Sequence, residues 1–143
     1  MAKANEKIQG QFTSGTNSIT QRAAITALEA PLNASLEMVK EFTRRKQRVI
    51  EFLQEMPNVK CTEPQGAFYV FPDITYYLGK SYEGETISNA GDLCMYLLNH
   101  AHVSTVSGDA FGQPGYIRVS FANSMENIEE GFKRIKEGLE KLT

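Results

Sequence analysis

The stretch "YIRVSFANS", Tyr116 to Ser124, constrains this chain more than any other, because two periodicities meet in it. Ile117, Val119 and Phe121 alternate with Tyr116, Arg118 and Ser120, the pattern of a strand with one apolar face. Ser124 then stands at a helix-cap position, and Ile128, Phe132, Ile135, Leu139 and Leu142 follow at helical spacing. A one-faced strand running into a one-striped helix must bury both against a common core. The same strand raises a question. Arg118, on its polar face, carries a permanent charge on a planar fork, which either reaches into water or is held toward an anion.

The elements upstream are helical first and extended later. Residues 1–17 are rich in Gly, Gln, Thr, Ser and Asn and read as an irregular opening segment, with room for a helical stub over Ala2 to Ile8. "SITQ" opens the first clear helix, with Ser18 and Gln21 at capping-box spacing and Pro31 as its stop. A long helix then runs from near Asn33 to Met56, with Leu36, Val39, Phe42, Val49, Leu53 and Met56 at helical spacing and Pro57 behind it. "NVKCTEPQGAFYVFPDI" predicts a short strand at Val59 to Cys61 and a stronger one at Ala67 to Phe71, paired as neighbours. "TYYLGKSYEGETI" reads as a loop, after which Ser88 or Asn89 caps a helix to about His100. A third strand over Val103 to Val106, the glycine-rich "SGDAFGQPG" and the strand Tyr116 to Ala122 complete the pattern. Without regular βαβ alternation or GxGxxG, the fold class is α+β: a small, largely antiparallel sheet covered by helices on one face and preceded by a long helix.

Size and charge narrow the function. A chain of 143 residues suits a single domain spanning 1–143, divided into the opening segment 1–17, the helices 18–56 and the sheet with its covering helices 57–143. Fifteen Lys and Arg against seventeen Asp and Glu leave −2, so no summed field draws the chain to nucleic acid or to an anionic membrane. No apolar run approaches the roughly eighteen residues of a membrane span, and "MAKANEKIQGQ" lacks the apolar core of a signal peptide, so a cytoplasmic location is the expectation. Cys61 and Cys94 lack CxxC spacing and His100 and His102 sit together at a helix end, so neither a metal site nor a disulfide framework is expected.

Several features invite a functional reading and have a plainer one. Arg118 on a strand can present two parallel charge-assisted hydrogen bonds to a carboxylate, or it can simply face water. "GAFYVF" could stack bases, but strand aromatics more often form core. "RRKQR", Arg44 to Arg48, reads as a solvated helix face, and Met38, Met56 and Met95 as core filler. "SGDAFG" lacks the lysine and spacing of a P-loop. "FTSGTNS" places hydroxyls and an amide before a helix N-terminus, chemistry that suits an anion or a cap alike. No acid/base pair stands at catalytic spacing.

Taken together, "GQFTSGTNSITQRAAITAL", "PQGAFYVFPDI", "SGDAFGQPGYIRVSFANS" and the closing amphipathic helix resemble, in that order, the C-terminal small domain of class I aminotransferases. These are the fold-type I enzymes that use pyridoxal 5′-phosphate, and the chain looks most like their bacterial aspartate aminotransferase subgroup. The resemblance implies that Arg118 grips the α-carboxylate of an amino-acid or 2-oxo-acid substrate and that Phe68 lies near the substrate end of the pocket. It also implies that Thr13 and Ser14 approach the cofactor of the neighbouring subunit in a homodimer. Where relatives commonly carry Pro-Gly, this chain has Ser107-Gly108, which leaves that loop's conformation to be determined. The cofactor lysine, the acidic residue opposite the pyridine nitrogen and the phosphate cup belong to the family's larger domain, and their motifs do not occur here. The expectation is therefore a fragment of a longer chain, with no catalytic residue of its own and no transamination alone. The rival reading is a stand-alone, non-catalytic α+β module that binds a carboxylate or a protein; RNA binding through the aromatic strand ranks behind it.

Overall fold

A computed structural model describes residues 1–143. Its contacts gather into two compact units, Met1–Glu37 and Met38–Thr143.

The first unit holds α1 (Ala2–Phe12), α2 (Ser18–Glu29) and the start of α3 (Asn33–Glu55). The helical stub expected over Ala2 to Ile8 is present and runs on to Phe12, further into the segment expected to be irregular, because Ala, Lys, Glu and Gln in "AKANEKIQGQF" are good helix formers that outweigh Asn5 and Gly10. At α2 the cap is Asn17 and not Ser18: its side chain accepts from Ile19 N at 2.9 Å and from Thr20 N at 3.4 Å. Gln21 reaches back to the Thr16 carbonyl at 2.7 Å, so the anticipated capping box does not form. Ala30 is extended ahead of Pro31, which ends the helix. Neither α1 nor α2 buries a residue, and Phe12, Ile19 and Leu28 all stand exposed.

The second unit carries the core. A three-stranded antiparallel sheet has the order β1 (Tyr69–Val70), β5 (Ile117–Ser120), β4 (Val106–Ser107), with Tyr69 opposite Ser120 and Val106 opposite Arg118. The period-2 reading of β5 holds: Ile117, Val119 and Phe121 are buried while Arg118 is half-buried and Ser120 exposed. Val49 and Leu53 of α3 join them, together with the stripe Ile128, Phe132, Ile135 and Leu139 of α5 (Met125–Glu140). Phe42 meets Phe121 at 6.3 Å between centroids and Phe52 stacks on Phe132 at 6.0 Å. Ser124 caps α5 as expected, accepting from Asn127 N at 3.3 Å. α4 (Ala90–Tyr96), capped by Asn89, continues into a π-helical turn over Leu97–Ala101. Tyr96 Oη donates to the Gly138 carbonyl at 2.9 Å, and a Cβ on Gly138 would lie 3.3 Å from the end of the Leu97 side chain, a tight contact that this side chain would have to ease.

Three strand expectations are corrected. The segment at Val59 to Cys61 forms only a bridge, Lys60 with Asp73, and β1 pairs with β5 and not with it. The run Ala67 to Phe71 shortens to Tyr69–Val70 because Ala67 takes φ 62°, which breaks the extended conformation. Val103 N bonds back to the Leu97 carbonyl at 3.1 Å, so β4 starts only at Val106. "TYYLGKSYEGETI" in turn hides a hairpin, β2 (Ser81–Tyr82) with β3 (Glu85–Thr86), turned through Glu83 and Gly84 at positive φ.

The basic run of α3 is fully engaged. Arg44 and Arg45 each reach Glu41 at 2.9 Å, Lys46 reaches Glu63 at 2.7 Å, and Arg48 bridges Glu51 and Glu129. Hydrogen bonds from Arg44 and then Arg45 hold the Glu41 carboxyl at about 2. This pairing stabilises α3 above the ordinary carboxylate range and is lost as pH falls toward that value. Side-chain NMR during acid titration should therefore find Glu41 protonating far below an ordinary glutamate, with the gap narrowing in high salt because the pair is exposed.

Candidate carboxylate site

With helices packed on the face of Val70, Ile117, Val119 and Phe121, the opposite face of the sheet carries Arg118 at its centre. Two rings hold it. The guanidinium carbon lies 4.4 Å from the centroid of Phe111 and 5.3 Å from that of Tyr69. Tyr69 belongs to β1, which flanks β5 on one side, and Phe111 to the loop after β4, which flanks it on the other. Phe71 extends the aromatic layer, edge-on to Phe111 at 6.1 Å and stacked on Tyr116 at 5.3 Å.

No protein acceptor pairs with the Arg118 side chain, whereas Arg44, Arg45, Arg48 and Arg134 all bind glutamates. Its face contacts leave the N–H edge, five donors in a fork that fits a carboxylate, without a partner in the chain. The arrangement can bind a carboxylate and is not by itself equipped for proton or group transfer.

The Ser107-Gly108 loop supplies one of the rings. Ser107 Oγ donates to Asp109 Oδ2 at 2.5 Å and accepts from Asp109 N at 3.3 Å, capping a 3₁₀ turn over Gly108–Phe111 that ends at Gly112 in the left-handed region. Gly108 N donates to the Tyr116 carbonyl at 2.7 Å. A Cβ on Gly108 would lie 2.3 Å from the Gln113 carbonyl oxygen and 2.7 Å from that of Tyr116, both backbone and unable to move aside cheaply. Gly108→Ala should therefore cost about 1–3 kcal/mol in urea unfolding, the usual range for overpacking, and displace Phe111 from Arg118.

The other sequence candidates stand elsewhere. Phe68 is half-exposed and packs toward Phe42 of α3 at 6.4 Å and edge-on to Tyr69 at 5.8 Å, and the ring beside Arg118 is its neighbour Tyr69. Thr13 and Ser14 lie in the first unit at the end of α1, where Thr13 Oγ1 donates to the Gln9 carbonyl at 3.3 Å and Ser14 Oγ to the Gly10 carbonyl at 2.7 Å. The shallow hollow beside them is lined by Glu6, Gln9, Gly10, Ser14, Gly15 and Thr16. Tyr69 and Phe111 were not among the sequence candidates. The one available signal was Tyr69's parity with Ser120, and it depends on a register that only the fold supplies.

The thiols are ordinary. Burial raises the pKa of both Cys61 and Cys94, and Thr105 Oγ1 donates to Cys94 Sγ at 3.2 Å. No group of three His, Cys, Asp or Glu residues comes together as a metal site. No helix is long and apolar enough to cross a membrane. Lys46, Lys133 and Lys136 are ion-paired with glutamates, and the core contains no buried polar or charged residue.

Residues 1–135 match the family described as aminotransferase class I and II. The chain belongs to this family. An aminotransferase of Petunia hybrida, bifunctional for aspartate and for glutamate/aspartate-prephenate, is 43% identical over 95% of the chain, which spans 29% of that protein. The aspartate aminotransferase of Rhizobium meliloti is 36% identical, its length covered to 35%, and a crystal structure of the aspartate aminotransferase from that organism superposes with TM-score 0.88 over 99% of the chain, at 37% identity and 36% coverage of its own length. The aspartate aminotransferase of Thermus thermophilus solved with maleate superposes with TM-score 0.75 at 29% identity, over 95% of the chain and 34% of its own. This aminotransferase segment thus spans about a third of the length of the relatives it matches.

Proposed function

We propose that these 143 residues are the substrate-carboxylate-binding small domain of a pyridoxal-phosphate-dependent aminotransferase. The whole protein would transfer an amino group reversibly between L-aspartate, or a similar amino acid, and 2-oxoglutarate. The reading rests on Arg118: a half-buried guanidinium on a rigid strand, held by two rings and given no acceptor by its own chain. Its fork would take the carboxylate common to every substrate, fixing the reacting carbon relative to the cofactor supplied by the rest of the protein. The cofactor, when bound, supplies the electron sink for the reaction. A relative solved with maleate, a dicarboxylate, agrees with this chemistry. Phe68 lines the substrate end of the pocket, and Thr13 and Ser14 reach the cofactor of a second subunit, so the working unit is a homodimer; its place is the cytoplasm. The chain of 143 residues alone is not catalytic.

A coupled assay tests this. The native protein, given L-aspartate and 2-oxoglutarate with pyridoxal phosphate, should form oxaloacetate and glutamate, while the 143-residue chain under the same conditions should form neither. A native protein that is inactive with these and with other amino-acid donors would favour the non-catalytic binding module.

A further inference from the structure

The contacts of Arg118 are of one chemical kind. The guanidinium lies over the rings of Phe111 and Tyr69, and no hydrogen bond or ion pair joins it to a side-chain or backbone oxygen. An arginine held by ion pairs gives up N–H donors to whatever holds it, as Arg44 and Arg45 do to Glu41. An arginine held by rings gives up none.

We infer that Phe111 and Tyr69 are positioning residues for the carboxylate site: they immobilise the Arg118 fork through its π-face and so keep its N–H edge free for the ligand. The inference rests on the carboxylate-binding role proposed above and adds to it two residues that do not touch the substrate carboxylate. The two rings differ in how they are anchored. Tyr69 is carried by β1 in register with Ser120, so its place is set by the sheet. Phe111 is the last residue of the 3₁₀ turn capped by Ser107, and its outer flank rests on Phe71. The Ser107-Asp109 cap therefore acts on the site through Phe111, with a side chain that itself lies outside the arginine's contacts.

The experiment is NMR on the 143-residue chain, following the Arg118 Nε–Hε cross-peak, assigned by its loss in Arg118→Lys. If the rings hold the fork, ring currents displace this peak upfield and its exchange with water is slow. Phe111→Leu should return it toward the free-arginine position while Phe111→Tyr leaves it displaced, the backbone spectrum confirming in each case that the fold persists. Titration with L-aspartate separates the inference from the reading beneath it. A displaced peak that also shifts with aspartate supports both, and Phe111→Leu should then weaken the aspartate response about 2- to 5-fold, the worth of one such ring contact. A displaced peak that ignores aspartate keeps the ring clamp and removes the carboxylate role. A wild-type peak at the free-arginine position, or one that Phe111→Leu leaves unchanged, overturns the clamp whatever aspartate does.

Discussion

In the native protein, Arg118→Ala is expected to weaken capture of amino-acid and 2-oxo-acid substrates by about 2–5 kcal/mol, roughly 30- to 4,000-fold in kcat/KM. The loss comes from leaving a substrate carboxylate in the site with no cation to meet it. Stability should fall by only about 1–2 kcal/mol, because Arg118 has no ion pair or hydrogen bond to lose and each of its two ring contacts is worth about 0.5–1 kcal/mol. Arg118→Lys keeps the charge and loses the planar fork, so it should fall between the two. Steady-state kinetics with urea unfolding on the same samples separates the cases. Unchanged kcat/KM in a stable Arg118→Ala enzyme would remove this arginine from the site.

Phe121→Ala should have the largest effect on stability, about 3–5 kcal/mol, as large-to-small changes of buried aromatics do. Phe121 is 1% exposed, closes the apolar face of the β5 segment and meets Phe42 of α3 at 6.3 Å, so no neighbour can collapse into its place without moving the long helix. The urea midpoint should fall while the slope stays the same. If Phe121→Ala is too unstable to purify, Phe121→Leu, closer to Phe121 in volume than alanine, keeps the test usable with a smaller shift. A loss below about 1 kcal/mol would mean that the apolar face of β5 is not where the core sits.

What the sequence disclosed about these two residues follows from physics that is local. A period of two separates Phe121 from Arg118 whatever the strand pairs with, and the stripe Ile128, Phe132, Ile135, Leu139 declares one buried helix face without reference to its partner. Ser124 as a cap was equally legible, because a helix start needs only a side-chain acceptor near the first free N–H groups. The features that escaped depend on backbone conformation or on register. Ala67 at φ 62° and Glu83 at φ 49° occupy conformations that alanine and glutamate seldom take, so a strand was drawn too long and a hairpin was read as loop. Asn17 and Ser18 are both good caps standing side by side, and composition alone cannot choose between them. The rings beside Arg118 come from residues 49 positions before it and 7 before it, brought together by β1 and β4 flanking β5. Phe68, which the resemblance places near the substrate end of the pocket, lies edge-on to Tyr69, and that Tyr69 faces Arg118 follows only from strand parity and register.

The most direct measurement on the central claim is covalent. The native protein is reduced with borohydride, digested and searched by mass spectrometry for a phosphopyridoxyl-lysine. The expected result is an adduct on a peptide outside residues 1–143 of the same polypeptide, which makes the segment bearing Arg118 the substrate-gripping domain of a working aminotransferase. A native protein that carries Arg118 and its two rings but yields no such adduct would contradict that claim and leave a carboxylate-binding module without the chemistry.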